Sequence, residues 1–335
     1  LRDVAKRAGV SHQTVSRVIN GSPNLRPETR DRVLAAIGEL DYRPSALGRA
    51  LARGRSRRIG VLIESSSEYG PMGTLRGVEM AARSAGYSTT TYTASPDAPA
   101  AFREGAEFLG LQDVDGIAII APRVETIRAL PELNLPKAVV LLGGLLGPEG
   151  PPDVSVGLAR VGVDQVLGTW LATDHLIGLG HTVIGHLAGP QDWLDARARN
   201  QAWRSAMTKS GLALPPIVEG DWRAESGYQA TDAILAIPGL TAVFAANDQM
   251  ALGLIHGLAA RGLRIPEDIS VVGFDNIADS GHFRPPLTTV NQDFEALGRS
   301  GVATILRQLG EDIPETAAVV VPHLVVREST CAPLR

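Results

Sequence analysis

Two periodicities divide the chain. Up to Arg43, apolar positions recur at helical spacing in three short bursts, and from Ile59 onward short apolar runs alternate with longer amphipathic stretches. In the first burst Val4, Ala5 and Ala8 make a stripe that Gly9 interrupts, and Ser11 stands where a second helix needs its N-cap. With about 100° of rotation per residue from His12, the polar His12, Gln13, Ser16, Arg17 and Asn20 share one face; Thr14, Val15, Val18 and Ile19 share the other. Pro27 opens a third helix, on which Val33, Leu34, Ile37 and Leu40 are spaced to cover the first two. A helix, a glycine-containing turn and a polar-faced helix form the pattern of a helix-turn-helix, whose second helix lies in the major groove.

The remainder reads as α/β. The runs IGVLIE, STTTYT, DGIAIIAP, AVVLLG, VIGHLAG, AVFAAN and ISVVGFD predict strands, and residues 73–85, 165–178, 195–209, 248–260 and 293–309 predict helices between them. This alternation predicts parallel sheets, which bind ligands at the carboxyl ends of their strands. There AN-D, GFD and AGP place polar or turn residues directly after apolar runs.

Charge sharpens the division. The chain of 335 residues carries a net charge of -4, yet residues 1–58 hold 13 Lys+Arg against 5 Asp+Glu, so a head of +8 precedes a body of -12. A basic head with apolar periodicity is a nucleic-acid module rather than a solubilising tail. Arg17 has two donors for guanine, Gln13 can pair with adenine, and Ser16, Thr14 and Asn20 suit bases or phosphates. Taken singly, each would pass for part of a solvated helix face. In residues 44–58 Pro44 can start a helix, Leu47 and Leu51 lie four apart, and five arginines fall between Arg49 and Arg58. A helix this short containing Gly48, about 1 kcal/mol poorer than Ala, is predicted to order only when something holds it.

Several function classes are disfavoured. There is no G-x-S-x-G, no G-x-x-x-x-G-K-[ST] and no H-E-x-x-H, and GLGHTVIG lacks the third glycine of a dinucleotide fingerprint. No enzyme activity and no cofactor are expected. His175, His181 and His186 fall on different elements without a cysteine or paired carboxylate, which favours structural roles over a metal site. Cys331 is the only cysteine, so no intrachain disulfide is possible. No run of 18 apolar residues appears and LRDVAKRAGV is unlike a signal peptide, so a cytoplasmic protein is expected, not a membrane protein. A solute-binding receptor is the other reading of the body, disfavoured by the head and that missing signal.

The segment VAKRAGVSHQTVSRVINGSPNLRPETRDRVLAAIGELDYRPSALGRAL, with its V-S-x-x-T-V-S-R-V-x-N core, resembles the headpiece of the lactose-repressor (LacI) family of bacterial regulators. The runs TDHLIGLGHTVIGHLAGP, GDWRAESGYQA, FAANDQMALG, IPEDISVVGFDN and RPPLTTVNQDFEALG extend the resemblance over essentially the whole chain. It implies a DNA-binding head at 1–43, a hinge at 44–58 and a two-lobed, periplasmic-binding-protein-like body at 59–335, crossed three times by the chain. The N-lobe is placed at 59–161 and 291–318, the C-lobe at 162–290 and 319–330. By resemblance His12, Gln13 and Arg17 read bases, Ser11, Thr14, Ser16, Asn20, Asn24 and Thr29 hold phosphates, and Leu51 wedges into the minor groove.

In the body the resemblance implies that Arg199, Trp222, Asn247 and Asp275 hold a sugar, with Gln292 and Phe294 at a crossover and Tyr69 and Pro71 contributed by the N-lobe. The chemistry agrees with a polyhydroxylated ligand: a forked donor, a carboxylate, an amide and an apolar plate. Asp275 and Asn247 have an alternative as caps of the next helix or turn, and Arg199 as a partner of Asp195 on its own helix. Where the family's namesake has Asn after the third strand and Asp after the fourth, this chain has Ile120 and LLGGLLGPEG, and Glu64 replaces a Ser at the end of the first. The expected partners are palindromic operator DNA, a mono- or oligosaccharide acting as inducer, with an effector acting as corepressor as the alternative, and a second copy in a homodimer, since no leucine heptads precede APLR.

Overall fold

The structure, a computed structural model, describes residues 1–19, 25–42, 55–64, 68–95, 100–135, 138–143 and 158–334. It divides into two compact units, Leu1–Arg57 and Arg58–Arg335.

In the first unit α1 (Arg2–Ala8) ends at Gly9, whose φ of 65° a residue with a Cβ rarely adopts. α2 (His12–Ile19) comes next, capped by the Ser11 Oγ, which accepts from the Thr14 N–H at 3.1 Å. α3 (Pro27–Glu39) completes the unit. Val4, Ala5, Ala8, Val15, Val18, Val33 and Ala36 form its core. The expectation for α3 needs correction at two positions: Leu34 and Leu40 are 51% and 44% exposed, and Ala36 is buried instead. Leu34 lies a quarter turn or more round the helix from Val33, and Leu40 sits past its last residue, so neither faces the seam.

In the second unit β1 (Arg58–Glu64), β2 (Ser88–Ala94), β3 (Gly116–Ile120), β4 (Val139–Leu142) and β5 (Ala159–Val163) form a sheet with β11 (Val319–Val320). Its order is β11-β5-β4-β3-β1-β2, and every pairing is parallel. The second sheet contains β6 (Ile184–Ala188), β7 (Val218–Glu219), β8 (Ala242–Ala245), β9 (Ser270–Asp275), β10 (Thr288–Asn291) and β12 (His323–Val325). Its order is β12-β10-β9-β8-β6-β7, parallel except where β12 joins the edge. Both sheets are covered on both faces. In the first, Val61, Ile63, Ala118, Ile120, Val140 and Leu142 feed one apolar cluster, and the intervening Leu62, Ile117, Ile119, Val139 and Leu141 feed the other. That is why these strands read as unbroken apolar runs.

Helices α4 (Tyr69–Ser84), α5 (Ala101–Leu111), α6 (Val124–Ala129) and α12 (Phe294–Gln308) pack on the first sheet. α7 (Gln165–Gly178), α8 (Leu194–Lys209), α9 (Ala224–Gln229), α10 (Thr231–Leu235) and α11 (Asp248–Ala260) belong with the second. The chain passes between lobes after β5, after β10 and between β11 and β12. Strand pairing moves the lobe boundaries by a residue or two: Val163 and Val319–Val320 lie in the first sheet and Asn291 in the second. Each crossing falls directly after a short strand, whose end periodicity alone does not fix.

Helix pairs in each lobe approach through glycines. A Cβ on Gly298 of α12 would lie 2.1 Å from the Gly77 carbonyl carbon of α4, and one on Gly253 of α11 1.7 Å from the Ala224 carbonyl oxygen of α9. Backbone has no flexible end to yield, so overpacking outweighs the gain in helix propensity. Gly298→Ala is expected to destabilise the body by about 1–3 kcal/mol, read as a lower urea midpoint; an unchanged midpoint would refute this packing.

Candidate functional site

On the head, α2 presents His12, Gln13 and Arg17 to solvent, with Thr14 and Ser16 half-buried beside them. The Ser11 Oγ is also 3.0 Å from the Thr14 Oγ1, so these two hydroxyls fix the start of the helix. Thr29 is half-buried on the first turn of α3. Val15 and Val18 hold the opposite face of α2 in the core, which leaves its polar face outward. Asn20, Asn24, Leu51 and the rest of residues 44–54 lie outside the described residues.

In the body, Tyr69, Pro71, Arg199, Trp222, Asn247, Asp275 and Gln292 line one cleft, which brings together seven of the eight residues singled out in the sequence; Phe294 lines the neighbouring cavity. Arg199, from α8, is only 3% exposed. Its Nε donates to the Gln165 Oε1 at 2.9 Å, one terminal nitrogen donates to the Ala246 carbonyl, and the other lies 3.7 Å from the Asp275 Oδ1. Its carbon stacks 3.9 Å from the centre of the Phe274 ring. Asp275 ends β9 with φ 108° and accepts from the Gln292 Nε2 at 2.6 Å. The Gln292 Oε1 in turn accepts from the Gln165 Nε2 at 2.8 Å, which links the first two crossings. Trp222, at φ 74°, packs its ring edge-on to Trp193 at 5.5 Å and against Gly189, where a Cβ would strike the indole at 2.1 Å. Two non-glycine residues held at positive φ in one cleft represent strain of roughly 1–3 kcal/mol each, sustained by their surroundings.

Asn247 does serve as a cap: its Oδ1 accepts from the Met250 N–H at 2.9 Å, and its Nδ2 donates to the Trp222 carbonyl at 2.9 Å. It thereby fixes the backbone that carries Trp222. Asp275 caps no helix, and the Arg199 guanidinium reaches Asp275, Gln165 and Ala246. Tyr69 starts α4 and meets Phe294 edge-on at 5.8 Å. Gln165, Trp193 and Asp248 were not singled out from sequence. Gln165 opens a predicted helix, where a polar residue is unremarkable, and only its burial marks it.

The lobes also meet beside the cleft. Leu194 donates to the Pro122 carbonyl at 2.9 Å and Val124 to the Asp192 carbonyl at 3.0 Å. Arg123 spans Glu64 at 3.0 Å and Asp192 at 3.2 Å. Burial pushes the Glu64 carboxyl up, against the pull of Arg123. The three histidines His175, His181 and His186 are each hydrogen-bonded to protein groups. His186 is buried, stacks on Phe244 and bonds its carbonyl at 3.0 Å, and burial brings its pKa down to about 4. His181 bridges Thr241 and the Cys331 carbonyl, and His175 meets Thr330. Among the described residues no group of three metal-ligating side chains converges, and no helix is long and apolar enough to cross a membrane.

Burial pushes Asp275 up to about 6, against Arg199 and Gln292. Burial, reinforced by the charge of Asp275, pushes the neighbouring Asp248 up to about 8. Both bind a proton more tightly folded than unfolded, so their stabilisation is complete below pH about 4 and is lost as pH rises through about 6 and about 8. Asp248 accepts from the Thr289 hydroxyl at 2.5 Å and from the Ile277 N–H at 2.9 Å. An asparagine there can accept from Ile277 and donate to Thr289. Asp248→Asn is expected to flatten the decline in urea midpoint between about pH 6 and pH 9; parallel wild-type and variant curves would contradict the assignment.

Residues 1–45 match the family model for bacterial regulatory proteins of the lacI family, and residues 173–330 match a periplasmic binding protein-like domain. The chain is 35% identical to the lactose operon repressor of Escherichia coli (strain K12), over 99% of this chain and 91% of that protein. It is 33% identical to the HTH-type transcriptional repressor PurR of Haemophilus influenzae, over 98% of each. Among solved structures it is similar to a lac repressor dimer bound to operator and the anti-inducer ONPF, with TM-score 0.85, 34% identity and 98% of both chains covered. It is also similar to the transcriptional regulator CelR in complex with cellobiose, with TM-score 0.68, 32% identity and 98% of both chains covered. Joined to a helix-turn-helix head and a two-lobed body, these matches decide against the receptor and enzyme readings: the chain belongs to the LacI family of DNA-binding transcriptional repressors.

Proposed function

We propose that this repressor binds a palindromic operator as a homodimer and releases it when a saccharide enters the cleft of the body. The convergence of Arg199, Asp275 and Gln292, buried and mutually bonded beside Trp222, is the observation that carries the effector half. Arg199 and Asp275 supply a donor and an acceptor for adjacent hydroxyls, and the Trp222 ring supplies a flat apolar surface for a sugar face. On the head, His12, Gln13 and Arg17 read bases, while Ser11, Thr14, Ser16 and Thr29 position the phosphates. Phosphate contacts by Asn20 and Asn24, a minor-groove wedge at Leu51 and a hinge at residues 44–58 belong to the same proposal, supported by family membership.

The mechanism is a shift of equilibrium. A ligand bonded to residues of both lobes favours one of their arrangements by the difference in its affinity for the two, and operator affinity changes by the same linkage. Two heads on a two-fold axis require two half-sites, hence a palindrome.

The deciding experiment selects bound sequences from random duplexes at fixed salt, with and without a panel of mono- and disaccharides. Enrichment of a palindrome that one sugar abolishes is expected; no enrichment, or a sugar that tightens binding, would overturn the proposal. Arg17→Ala is expected to weaken operator binding about 10- to 100-fold and relax preference at one base pair. Asp275→Asn is expected to bind operator normally yet resist release by the sugar. If release were unaltered in that variant, Asp275 would lie outside the effector contacts.

A further inference from the structure

The cleft is more acidic than its own base can match. Among the described residues lining it, Glu68, Asp195 and Asp275 carry carboxyl groups and Arg199 alone carries a cation. That cation is committed, since Arg199 faces Asp275, donates to Gln165 and Ala246 and stacks on Phe274. Asp195, and Arg160 on the adjoining cavity, each have a polar or electrostatic contact of their own. Glu68 is different. It stands at the N-cap of α4 without bonding the helix, and its Oε2 is buried with no hydrogen-bond partner. The indole N–H of Trp222, a side chain 6% exposed on the same cleft, has no acceptor either. Residues 65–67 and 144–157, outside the described residues, include Glu149 and Asp153 and no Lys, Arg or His, so they bring no balancing cation. Burial raises the pKa of the Tyr69 hydroxyl, and the charges of Asp275 and Asp248 raise it further against Arg76, so a neutral group lining the cleft registers the same negative excess.

A buried carboxyl oxygen without a donor is costly, and a cleft lined by one sign of charge concentrates ions of the other. We infer that the effector is an amino sugar, its ring held by Arg199, Asp275 and Gln292 and its protonated amine by Glu68, beside Asp195. This rests on the saccharide reading and specifies the charge that the sugar carries. An ammonium group has three donors and no acceptor, which is what an unpartnered carboxylate requires, whereas a hydroxyl in its place has one donor and no charge. The rings of Trp193 and Trp222, on the same cleft, attract a cation through their faces. Glu68 precedes a helix of the first lobe and Asp195 lies on a helix of the second, so a cation between them also offsets the repulsion of like charges across the cleft. Its binding thereby favours the arrangement of the lobes that brings the two carboxylates together.

The test is calorimetric titration of the full chain at about pH 7, below the range near about 8 in which such amines titrate. The probes are glucose, galactose and mannose, the amino-deoxy sugars made by replacing each of their hydroxyls in turn, the N-acetyl derivatives of those, and cellobiose and lactose. One amino sugar is expected to bind at least about tenfold more tightly than both its parent hexose and its N-acetyl derivative. Glu68→Gln is expected to cut that ratio by about fivefold or more. A parent hexose, N-acetyl sugar or disaccharide that bound as tightly as every amino form would overturn the inference and leave the saccharide reading standing. A ratio untouched by Glu68→Gln would overturn it too. If neither neutral nor amino sugars bound at all, both readings would fall together.

Discussion

A guanidinium buried to 3% exposure must be met by acceptors and neutralised, or it does not stay buried. Arg199 is met by the side chain of Gln165 from α7, the carbonyl of Ala246 after β8, the carboxylate of Asp275 at the end of β9 and the face of Phe274. Three elements of one lobe, α7, β8 and β9, are thereby tied to one side chain of α8. Removing one member of such a pair typically costs about 3–5 kcal/mol, because the partner charge is left alone in the interior. The floor of the cleft is consequently rigid, and its hydrogen-bonding groups are oriented before any ligand arrives.

The same cluster sits where the lobes join. Gln165 comes just after the first crossing and Gln292 at the second, and their mutual hydrogen bond links the Arg199 network to both. Leu194, first residue of α8, is buried in the apolar cluster of the other lobe, while Arg199 lies further along the same helix. One helix, α8, therefore touches the other lobe at its first residue and carries the cleft floor one to two turns later. An opposite requirement holds within each lobe, where Gly77 with Gly298, and Gly253 beside Ala224, let helices touch backbone to backbone. Each lobe is packed too closely to deform gradually, which leaves the crossings as the places where the chain can change.

Much of this was legible in the residues. The two faces of α2 followed from period alone, because Val15 and Val18 must be buried and the polar set then has only one direction to face. The long strands were legible because burial on both faces demands apolar runs. Five strands were not: β7 and β11 have two residues each and β12 pairs antiparallel at an edge, where neither alternation nor a run can develop, and β5 and β10, with Arg160 and the threonines Thr288 and Thr289, are not apolar runs although they lie inside their sheets. Leu34 and Leu40 escaped the pattern because spacing in sequence does not say which arc of α3 meets its neighbours.

The sequence by itself determined the class of the protein: a basic, polar-faced helix follows from period and charge, which are local properties. Its resemblance to the family singled out the candidate set of Arg, Asp, Asn, Trp and Gln from helices and strand ends. Tertiary structure decided which of those groups share an environment. Asn247 proved to cap a helix while holding the backbone of Trp222, and Gln165, undistinguished in the sequence, became the link between Arg199 and Gln292. The raised pKa values of Asp248 and Asp275 likewise exist only after folding, because desolvation and the charge of a distant residue act through space and leave no trace in the order of residues along the chain.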